Sequence, residues 1–302
     1  MLIDKVVSET IKKKNPCIVG IDPEWSLIPE CYKQNAGSQT QIVWEWAKDV
    51  IDAVKNVVIA VKPQMAFYEV YGADGFGVFE KISEYAKRQG LIVIDDSKRN
   101  DIGNTARAYA YAHLSAAGPI NADFMTVSPF LGTDSIQPFV DTAIKEDKGI
   151  FILVRTSNPS SSEIAEAVNP KGEKISSQLA EYVNEISKSY MGSSGYSAIG
   201  AVVGATFPKD AAELRWRMKK NYFLVPGFGA QGGSAEDVTA CFNEDGLGAL
   251  ISSSRGILYQ YIDREEYDGS REMYRNIVHS QARKMQQEVY GALREKCKEI
   301  CY

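Results

Sequence analysis

The residues best suited to chemistry in this sequence are two lysines and two aspartates, namely Lys62, Asp96, Lys98 and Asp101. Three of the four lie in LIVIDDSKRNDIGNT at 91–105, where an apolar run leads directly into charged residues. Because side chains alternate along a strand, Asp96 and Lys98 are predicted to point the same way. Lys62 and Gln64 share a face in the same manner.

Such an alternating array of lysine and aspartate favours a preorganised electrostatic site. A buried ion-pair network is the structural alternative, although burying these charges for stability alone is costly. Asp101 follows the strand, where its carboxylate would also stabilise the start of the next helix. Asp95 and Arg99 have the opposite parity and are interpreted as bystanders or scaffolding.

A glycine-rich segment, VPGFGAQGGSAEDV at 225–238, leads into a predicted helix. Backbone amides and a helix N-terminus are suited to binding an anion. An ordinary tight turn explains the glycines equally well when they are considered alone. Together with SSSRG at 252–256, the segment predicts a phosphate site.

Eight short apolar runs alternate with helical patterns, which is typical of parallel βα units with both sheet faces buried. The predicted strands are 17–22, 56–64, 90–98, 122–130, 149–158, 197–206, 222–229 and 246–256. Helical patterning is clearest at 40–54, 77–89, 173–191 and 234–243. The count of eight predicts a (β/α)8 TIM barrel, a closed parallel sheet with outer helices, over a doubly wound open sheet. We expect one domain over 1–302, with a long C-terminal helix at about 265–300.

A barrel places catalytic residues at the C-terminal ends of its strands. Polar side chains do cluster there. They are Asp22, Lys62, Gln64, Asp96, Lys98, Thr156, Ser157, Asn158, Gln231 and Arg255.

Composition argues against several classes of function. The formal net charge is −5, which disfavours a general nucleic-acid or anionic-membrane binder. Apolar runs are too short for a membrane span, and the start of the chain is too polar for a signal peptide. Scattered cysteines favour reduced thiols in a cytoplasmic protein over a disulfide or metal site. His113 and His279 are predicted to be structural.

The sequence resembles the orotidine 5′-phosphate decarboxylase family, in the branch with longer chains. DSKRNDI matches the signature Asp-x-Lys-x-x-Asp-Ile of that family. Further resemblances follow in the family's order at CIVGIDP, VKPQMAFYE, TVSPFLG, LVRTSNP, VPGFGAQGG and SSSRGI. A lone signature is a weak signal, whereas ordered matches at strand ends are a strong one.

This resemblance implies decarboxylation of orotidine 5′-monophosphate to uridine 5′-monophosphate, the last step of de novo pyrimidine biosynthesis, without metal or organic cofactor. It implies that Lys62, Asp96, Lys98 and Asp101 form the charged tetrad around C6 of the pyrimidine, with Lys98 as the proton donor. It also implies a homodimer whose active sites are shared, so that Asp101, Ile102 and Thr105 act in the partner's site.

The resemblance also implies how the substrate binds. Asp22 would accept hydrogen bonds from the ribose, with Lys62 and Thr105 nearby. Thr156 and Ser157 would bind the pyrimidine edge, and Pro226 would form an apolar wall. Gln231, Gly232 and Arg255 would bind phosphate, with Gln231 also reaching towards the base. Gln64 is predicted to orient Lys62 or to reach the tetrad.

Other functions stay open at this point. A sugar-phosphate decarboxylase or aldolase of the same barrel superfamily shares the Asp-x-Lys-x-x-Asp pattern, but would use magnesium and an acidic ligand where this chain has Lys62-Pro-Gln. A Schiff-base aldolase using Lys98 or Lys62 is another enzyme. A phosphate-ligand binder without catalytic activity is the alternative that is not an enzyme. The polar segment 159–178 is predicted to be either a mobile lid or a surface excursion.

Overall fold

The protein is described by a computed structural model that covers residues 1–34, 37–229, 232–297 and 300. Within these residues, eight parallel strands pair in chain order and close into a barrel, since β1 also pairs with β8. The predicted (β/α)8 fold is therefore confirmed. The strands are β1 Cys17–Ile21, β2 Ala60–Pro63, β3 Ile92–Arg99, β4 Phe124–Val127, β5 Gly149–Arg155, β6 Ser197–Val203, β7 Asn221–Val225 and β8 Ala249–Ser253.

The strands are buried on both faces, as near-continuous apolar runs predict. Every residue of β1 and of β6 is buried. Below the polar end of β3, Ile92 and Ile94 have no exposed surface. Phe124 of β4 stacks on Phe151 of β5 at 4.9 Å between ring centroids. This packed interior supports the polar residues that follow it at the C-terminal ends of the strands.

Helices surround the barrel and connect its strands. They are α1 Leu2–Lys13, α2 Glu30–Lys33, α3 Gln39–Val54, α4 Ala66–Glu69, α5 Gly72–Arg88, α6 Gly103–Leu114, α7 Thr133–Glu146, α8 Ser162–Ala165, α9 Ile175–Ser187, α10 Pro208–Arg217, α11 Ala235–Val238, α12 Arg255–Leu258 and α13 Arg271–Lys296. Single 3₁₀ turns form at Trp25–Leu27, Pro159–Ser161 and Thr239–Cys241. Each helix of the described residues is too short or too polar to span a bilayer.

The C-terminal helix α13 begins after Ser270, whose hydroxyl accepts the amide of Met273. One face of α13 is buried through Tyr274, Val278 and Val289, and the helix packs on α3. Trp46 of α3 donates its indole N–H to the hydroxyl of Tyr274 at 2.7 Å. This contact fixes the terminal helix to the barrel on the side of β1.

The helix predicted at 234–243 is shorter than its pattern indicates. A capping box formed by Ser234 and Asp237 starts α11, but the chain turns into a 3₁₀ helix at Thr239 after four residues. This short helix follows the glycine-rich loop that is predicted to bind phosphate.

Candidate active site

A cavity of about 580 Å³ opens at the C-terminal ends of the strands. We call it the main cavity. Its lining includes many of the residues singled out in the sequence, namely Asp22, Lys62, Gln64, Asp96, Lys98, Thr156, Ser157, Pro226 and Arg255. The sequence pattern therefore predicted residues that the fold brings together from β1, β2, β3, β5, β7 and β8.

Asp96 is the centre of a buried charged network. Its Oδ2 accepts hydrogen bonds from Lys62 Nζ at 2.7 Å and from Gln64 Nε2 at 3.1 Å. Its Oδ1 accepts from Lys98 Nζ at 2.5 Å and from the hydroxyl of Thr126 at 3.0 Å. Only 7% of the surface of Asp96 is exposed. Four donors thus hold one carboxylate in a single orientation.

The network also controls ionisation. Burial alone would raise the pKa of Asp96, but Lys62 and Lys98 outweigh that effect and hold the pKa well below its usual range. Burial alone would lower the pKa of Lys62, yet the Asp96 and Asp22 carboxylates raise it above its ordinary value. Both groups are therefore charged at neutral pH.

Lys98 differs from Lys62 in its backbone and in its access to the cavity. The backbone of Lys98 is left-handed, with φ of 49°. The pairing of β3 with β4 shifts register between Asp95 and Arg99, around this residue. The Lys98 side chain is 42% exposed, compared with 8% for Lys62. The side chain of Lys98 is therefore more open to the cavity than that of Lys62, although both ammonium groups bind the Asp96 carboxylate.

Asp22 follows β1 and presents a carboxylate to the main cavity. Within the described residues, its Oδ1 is buried and has no hydrogen-bond partner. The backbone around it is held by Tyr259, whose hydroxyl donates to the carbonyl of Asp22 at 2.6 Å and accepts the amide of Glu24 at 2.9 Å. A buried acceptor without a partner is suited to a hydroxyl-bearing ligand.

Thr156 and Ser157 line the cavity after β5. The Thr156 hydroxyl donates to Asn158 Oδ1 at 2.7 Å, and the Ser157 carbonyl accepts from Thr206 at 3.0 Å. Gly204 lies behind Ser157, so closely that a Cβ on Gly204 would fall 2.8 Å from Ser157 Cα. Because residue 204 has no side chain, Ser157 can occupy its position beside the cavity.

Arg155, just before these residues, is buried and ties the following segment to the barrel. It donates to Asp210 at 2.9 Å, to Glu166 at 3.1 Å and to Ser161. Its guanidinium also lies 3.7 Å from the ring centroid of Phe207. The first part of 159–178 is therefore anchored, whether or not the rest of that segment moves.

At the predicted phosphate end, Arg255 lines the main cavity and also a smaller one of about 370 Å³. The amides of Gly229, Gly232 and Gly233 donate to carbonyls within their own loop. The amides of Ser234 and Asp237 are bound by the capping box of α11. Side chains of the segment thus bind two of the amides at the start of α11, and the part of this helix N-terminus in phosphate binding stays a prediction. Gln231 lies outside the described residues, and Gly232, with φ of 95°, is not part of the main cavity's lining.

Asp101, Ile102 and Thr105 do not line the main cavity. They follow β3 at the surface, where Ile102 is 57% exposed. The Asp101 carboxylate accepts the amide of Ile102 at 2.8 Å. A single chain therefore brings three of the four predicted charged residues together and leaves Asp101 on its surface.

The remaining charged residues of β3 make contacts of their own. Asp95 is buried and pairs with His113 Nδ1 at 2.5 Å, and Arg99 pairs with Glu69 at 2.5 Å. His279, the other histidine, makes a hydrogen bond to the carbonyl of Ala53 at 2.9 Å. None of these residues lines the main cavity.

The sequence favours reduced thiols over a metal or disulfide role for the cysteines, which are Cys17, Cys31, Cys241, Cys297 and Cys301. The first four are free thiols, and Cys301 lies outside the described residues. In the described part of the chain, no three His, Cys, Asp or Glu side chains are grouped as a metal site.

Two polar residues of the site were missed in the sequence. Thr126 is fully buried in β4 and contacts both Asp96 and Lys98. A polar residue inside the apolar run FMTV was a signal that could have drawn attention to it. Tyr259 lies four residues after Arg255, a spacing that places both on one side of a helical turn.

Comparison with known proteins identifies the family. Residues 15–268 match the model of the orotidine 5′-phosphate decarboxylase / HUMPS family. The chain is 37% identical to an orotidine 5′-phosphate decarboxylase of Clostridium novyi, over 96% of this chain and 98% of that protein. It is 42% identical to one of Rhodopirellula baltica, over 82% and 85%.

The structure of Leishmania donovani OMP decarboxylase superposes with a TM-score of 0.74 at 27% identity, covering 97% of this chain and 98% of that chain. The family match spans the strand ends from Asp22 to Arg255, so it includes the whole cavity described above. This chain belongs to the orotidine 5′-phosphate decarboxylase / HUMPS family.

Proposed function

We propose that this protein decarboxylates orotidine 5′-monophosphate to uridine 5′-monophosphate without a cofactor. The observation that carries the proposal is the Asp96 carboxylate held between Lys62 and Lys98 in the main cavity. Relatives named orotidine 5′-phosphate decarboxylase, matched over 98% and 85% of their own length, support it. The assignments to pyrimidine biosynthesis and to the cytoplasm stay predictions.

The chemical problem is a carbanion at C6, which has no conjugated system to delocalise its charge. The bond from C6 to the carboxylate carbon breaks, CO2 leaves, and the electron pair stays on C6. The Lys98 ammonium stabilises this charge as it develops and then donates a proton to C6. Lys98 suits this role better than Lys62, because the side chain of Lys98 is more open to the cavity.

Asp96 has two roles in the proposal. Its negative charge keeps both lysines protonated and in place, so the site needs little reorganisation during the reaction. It also lies where it would repel the substrate carboxylate, which disfavours the bound substrate relative to the transition state. The low pKa of Asp96 supports both roles, since the carboxylate remains ionised beside an anionic substrate.

The rest of the cavity is proposed to bind the nucleotide. Asp22, with its unused carboxylate oxygen, would accept from a ribose hydroxyl. Thr156 and Ser157 would bind the pyrimidine edge against the apolar wall of Pro226. Arg255 would bind phosphate by paired donors. Gln64 would orient Asp96, which it contacts directly. Roles for Gln231 and Gly232 at the phosphate stay predictions.

We also propose that the active protein is a homodimer with shared sites. Asp101, Ile102 and Thr105 are surface residues in one chain, although the reaction is expected to use Asp101. Exposed apolar side chains lie on the neighbouring loops, with Ile102 at 57%, Phe130 at 78% and Leu131 at 46% exposure. A second copy covering this surface would bring its own Asp101 to the site and bury those side chains.

The nearest alternative is a sugar-phosphate decarboxylase or aldolase of the same superfamily. Such an enzyme requires an acidic metal ligand near the end of the second strand. Here β2 ends at Lys62-Pro63, followed by Gln64, and both polar side chains bind Asp96. This arrangement favours the cofactor-free reaction.

The decisive assay follows the ultraviolet absorbance of orotidine 5′-monophosphate with pure protein, with and without EDTA. We expect turnover in both cases. Absence of turnover by the folded protein would contradict the proposed activity, and loss of turnover in EDTA would favour the metal-dependent alternative. A Schiff base at either lysine would be revealed by borohydride trapping with a carbonyl substrate.

A further inference from the structure

Thr126 connects the two reactive residues of β3 without being part of the cavity lining. It lies in the middle of β4 and has no exposed surface. Its Oγ1 is 2.9 Å from the backbone nitrogen of Lys98 and 3.0 Å from Asp96 Oδ1. One hydroxyl therefore contacts the backbone of the predicted proton donor and the carboxylate beside it.

The direction of both hydrogen bonds follows from their partners. The Lys98 amide can only donate, so Thr126 Oγ1 accepts there. The single hydroxyl proton is then left for Asp96 Oδ1, which is ionised and can only accept. Thr126 thus has one hydroxyl orientation that satisfies both contacts.

The backbone of β3 explains why a side chain is needed at this position. The ladder between β3 and β4 shifts between Asp95 and Arg99, and Lys98 has the left-handed φ of 49°. A residue with a side chain is strained there unless its surroundings hold it. The Lys98 amide bonds to the Thr126 side chain in place of a backbone carbonyl of β4.

We propose that Thr126 is a positioning residue for the decarboxylation proposed above. Through a single hydroxyl, it keeps Lys98 in its left-handed conformation and fixes the Asp96 carboxylate that holds the Lys98 ammonium. The inference rests on the proposed function for its kinetic consequence, while its structural consequence stands independently of any activity.

The kinetic test compares Thr126→Val, which keeps the shape and removes the hydroxyl, with Thr126→Ser, which keeps the hydroxyl. For Val we expect kcat to fall by roughly 10- to 100-fold, the scale of a misplaced catalytic group, with KM changed by less than about threefold. Ser is expected to stay within about threefold of wild type. Thr126→Cys, with its weak donor, should be intermediate and replaces Val in the comparison if Val does not fold.

Thr10→Val is the matched control. Thr10 is also a buried threonine, and its hydroxyl binds the Val6 carbonyl at 2.8 Å in α1. This helix leads into the N-terminal end of β1, and Thr10 does not line the main cavity. This variant should keep the kcat of wild type. Native kcat in Thr126→Val, or equal losses in the Ser and Val variants, would overturn the positioning role.

Crystal structures of wild type and Thr126→Val supply the readout that does not depend on turnover. We expect the Val variant to lose the left-handed φ at Lys98 or the direct contact between Lys98 Nζ and Asp96 Oδ1. Unchanged geometry at both residues would overturn the inference even if wild type proves inactive. Inactive wild type with the expected structural change would instead contradict the proposed function alone.

Discussion

Lys62 Nζ and Asp96 Oδ2 are 2.7 Å apart, and neither side chain is more than a tenth exposed. A buried pair of this kind contributes little when complete, but removing one partner leaves an uncompensated buried charge. The pair therefore links the stability of the barrel to the ionisation of the site.

Asp96→Asn should lower the free energy of unfolding by about 3 kcal/mol at pH 7, because Lys62 loses its partner. The folded pKa of Asp96 lies below the ordinary 3.8. The contribution of Asp96 to stability is thus present above pH 3.8 and is lost as the pH falls through the lower pKa of the folded protein. The folded pKa of Lys62 lies above 10.5, so the contribution of Lys62 to stability does not change between acidic and neutral pH. Urea unfolding at pH 7, 5 and 3 should show that the difference in free energy of unfolding between wild type and variant decreases only at pH 3.

A difference that does not depend on pH would show that the ionised Asp96 carboxylate does not stabilise the folded protein.

Lys98→Ala should abolish nearly all turnover while a uridine 5′-phosphate analogue still binds. The predicted contacts to ribose and phosphate remain, and only the ammonium that serves C6 is removed. Turnover and calorimetric binding of the analogue are the measurements. Lys145→Ala, which removes an exposed ammonium on α7, is the control and should change neither. Equal loss of binding and turnover in Lys98→Ala would point to a folding or binding defect.

Mixing Lys98→Ala with Asp101→Ala chains tests whether the sites are shared. If each site combines Lys98 of one chain with Asp101 of the other, a mixed dimer holds one site with both residues native. Random exchange should then restore roughly one quarter of wild-type activity. Lack of recovery, with subunit exchange verified by mass spectrometry, would show that each chain supplies its own Asp101.

Gly204→Ala should weaken substrate binding through Ser157. A Cβ at 204 would fall 2.8 Å from Ser157 Cα and 2.9 Å from its backbone nitrogen, so Ser157 must move. We expect kcat/KM to fall roughly tenfold, mainly through KM. Gly291→Ala is the control, because a Cβ there meets open space in α13. It should keep native kinetics and raise stability by about 0.5–1 kcal/mol. A native KM for Gly204→Ala would contradict the proposed contact between Ser157 and the pyrimidine base.

The sequence predicted most of the barrel because its strands are buried on both faces and their apolar runs are unbroken. The clustering of Lys62, Asp96 and Lys98 was predictable for a related reason, since strand ends in a parallel barrel meet on one rim. The role of Thr126 was not predictable, because it depends on the register shift between β3 and β4. The internal hydrogen bonds of the loop after β7 were missed as well, because glycine content alone does not show which partners the amides choose. The proposed place of Asp101 in a partner's site rests on the family resemblance and not on a pattern along the chain.

With the exception of Asp22, which follows β1, the proposed roles divide the residues of the site between the two halves of the barrel. Lys62, Asp96 and Thr126 come from three successive strands of the first half, β2 to β4. Thr156, Pro226 and Arg255 follow β5, β7 and β8 of the second half. On the proposed assignment, substitutions in the loops of the second half would alter nucleotide recognition while the charged residues of β2 and β3 stay intact. A chain with this division offers protein engineers one half for changing selectivity and another that is best left untouched.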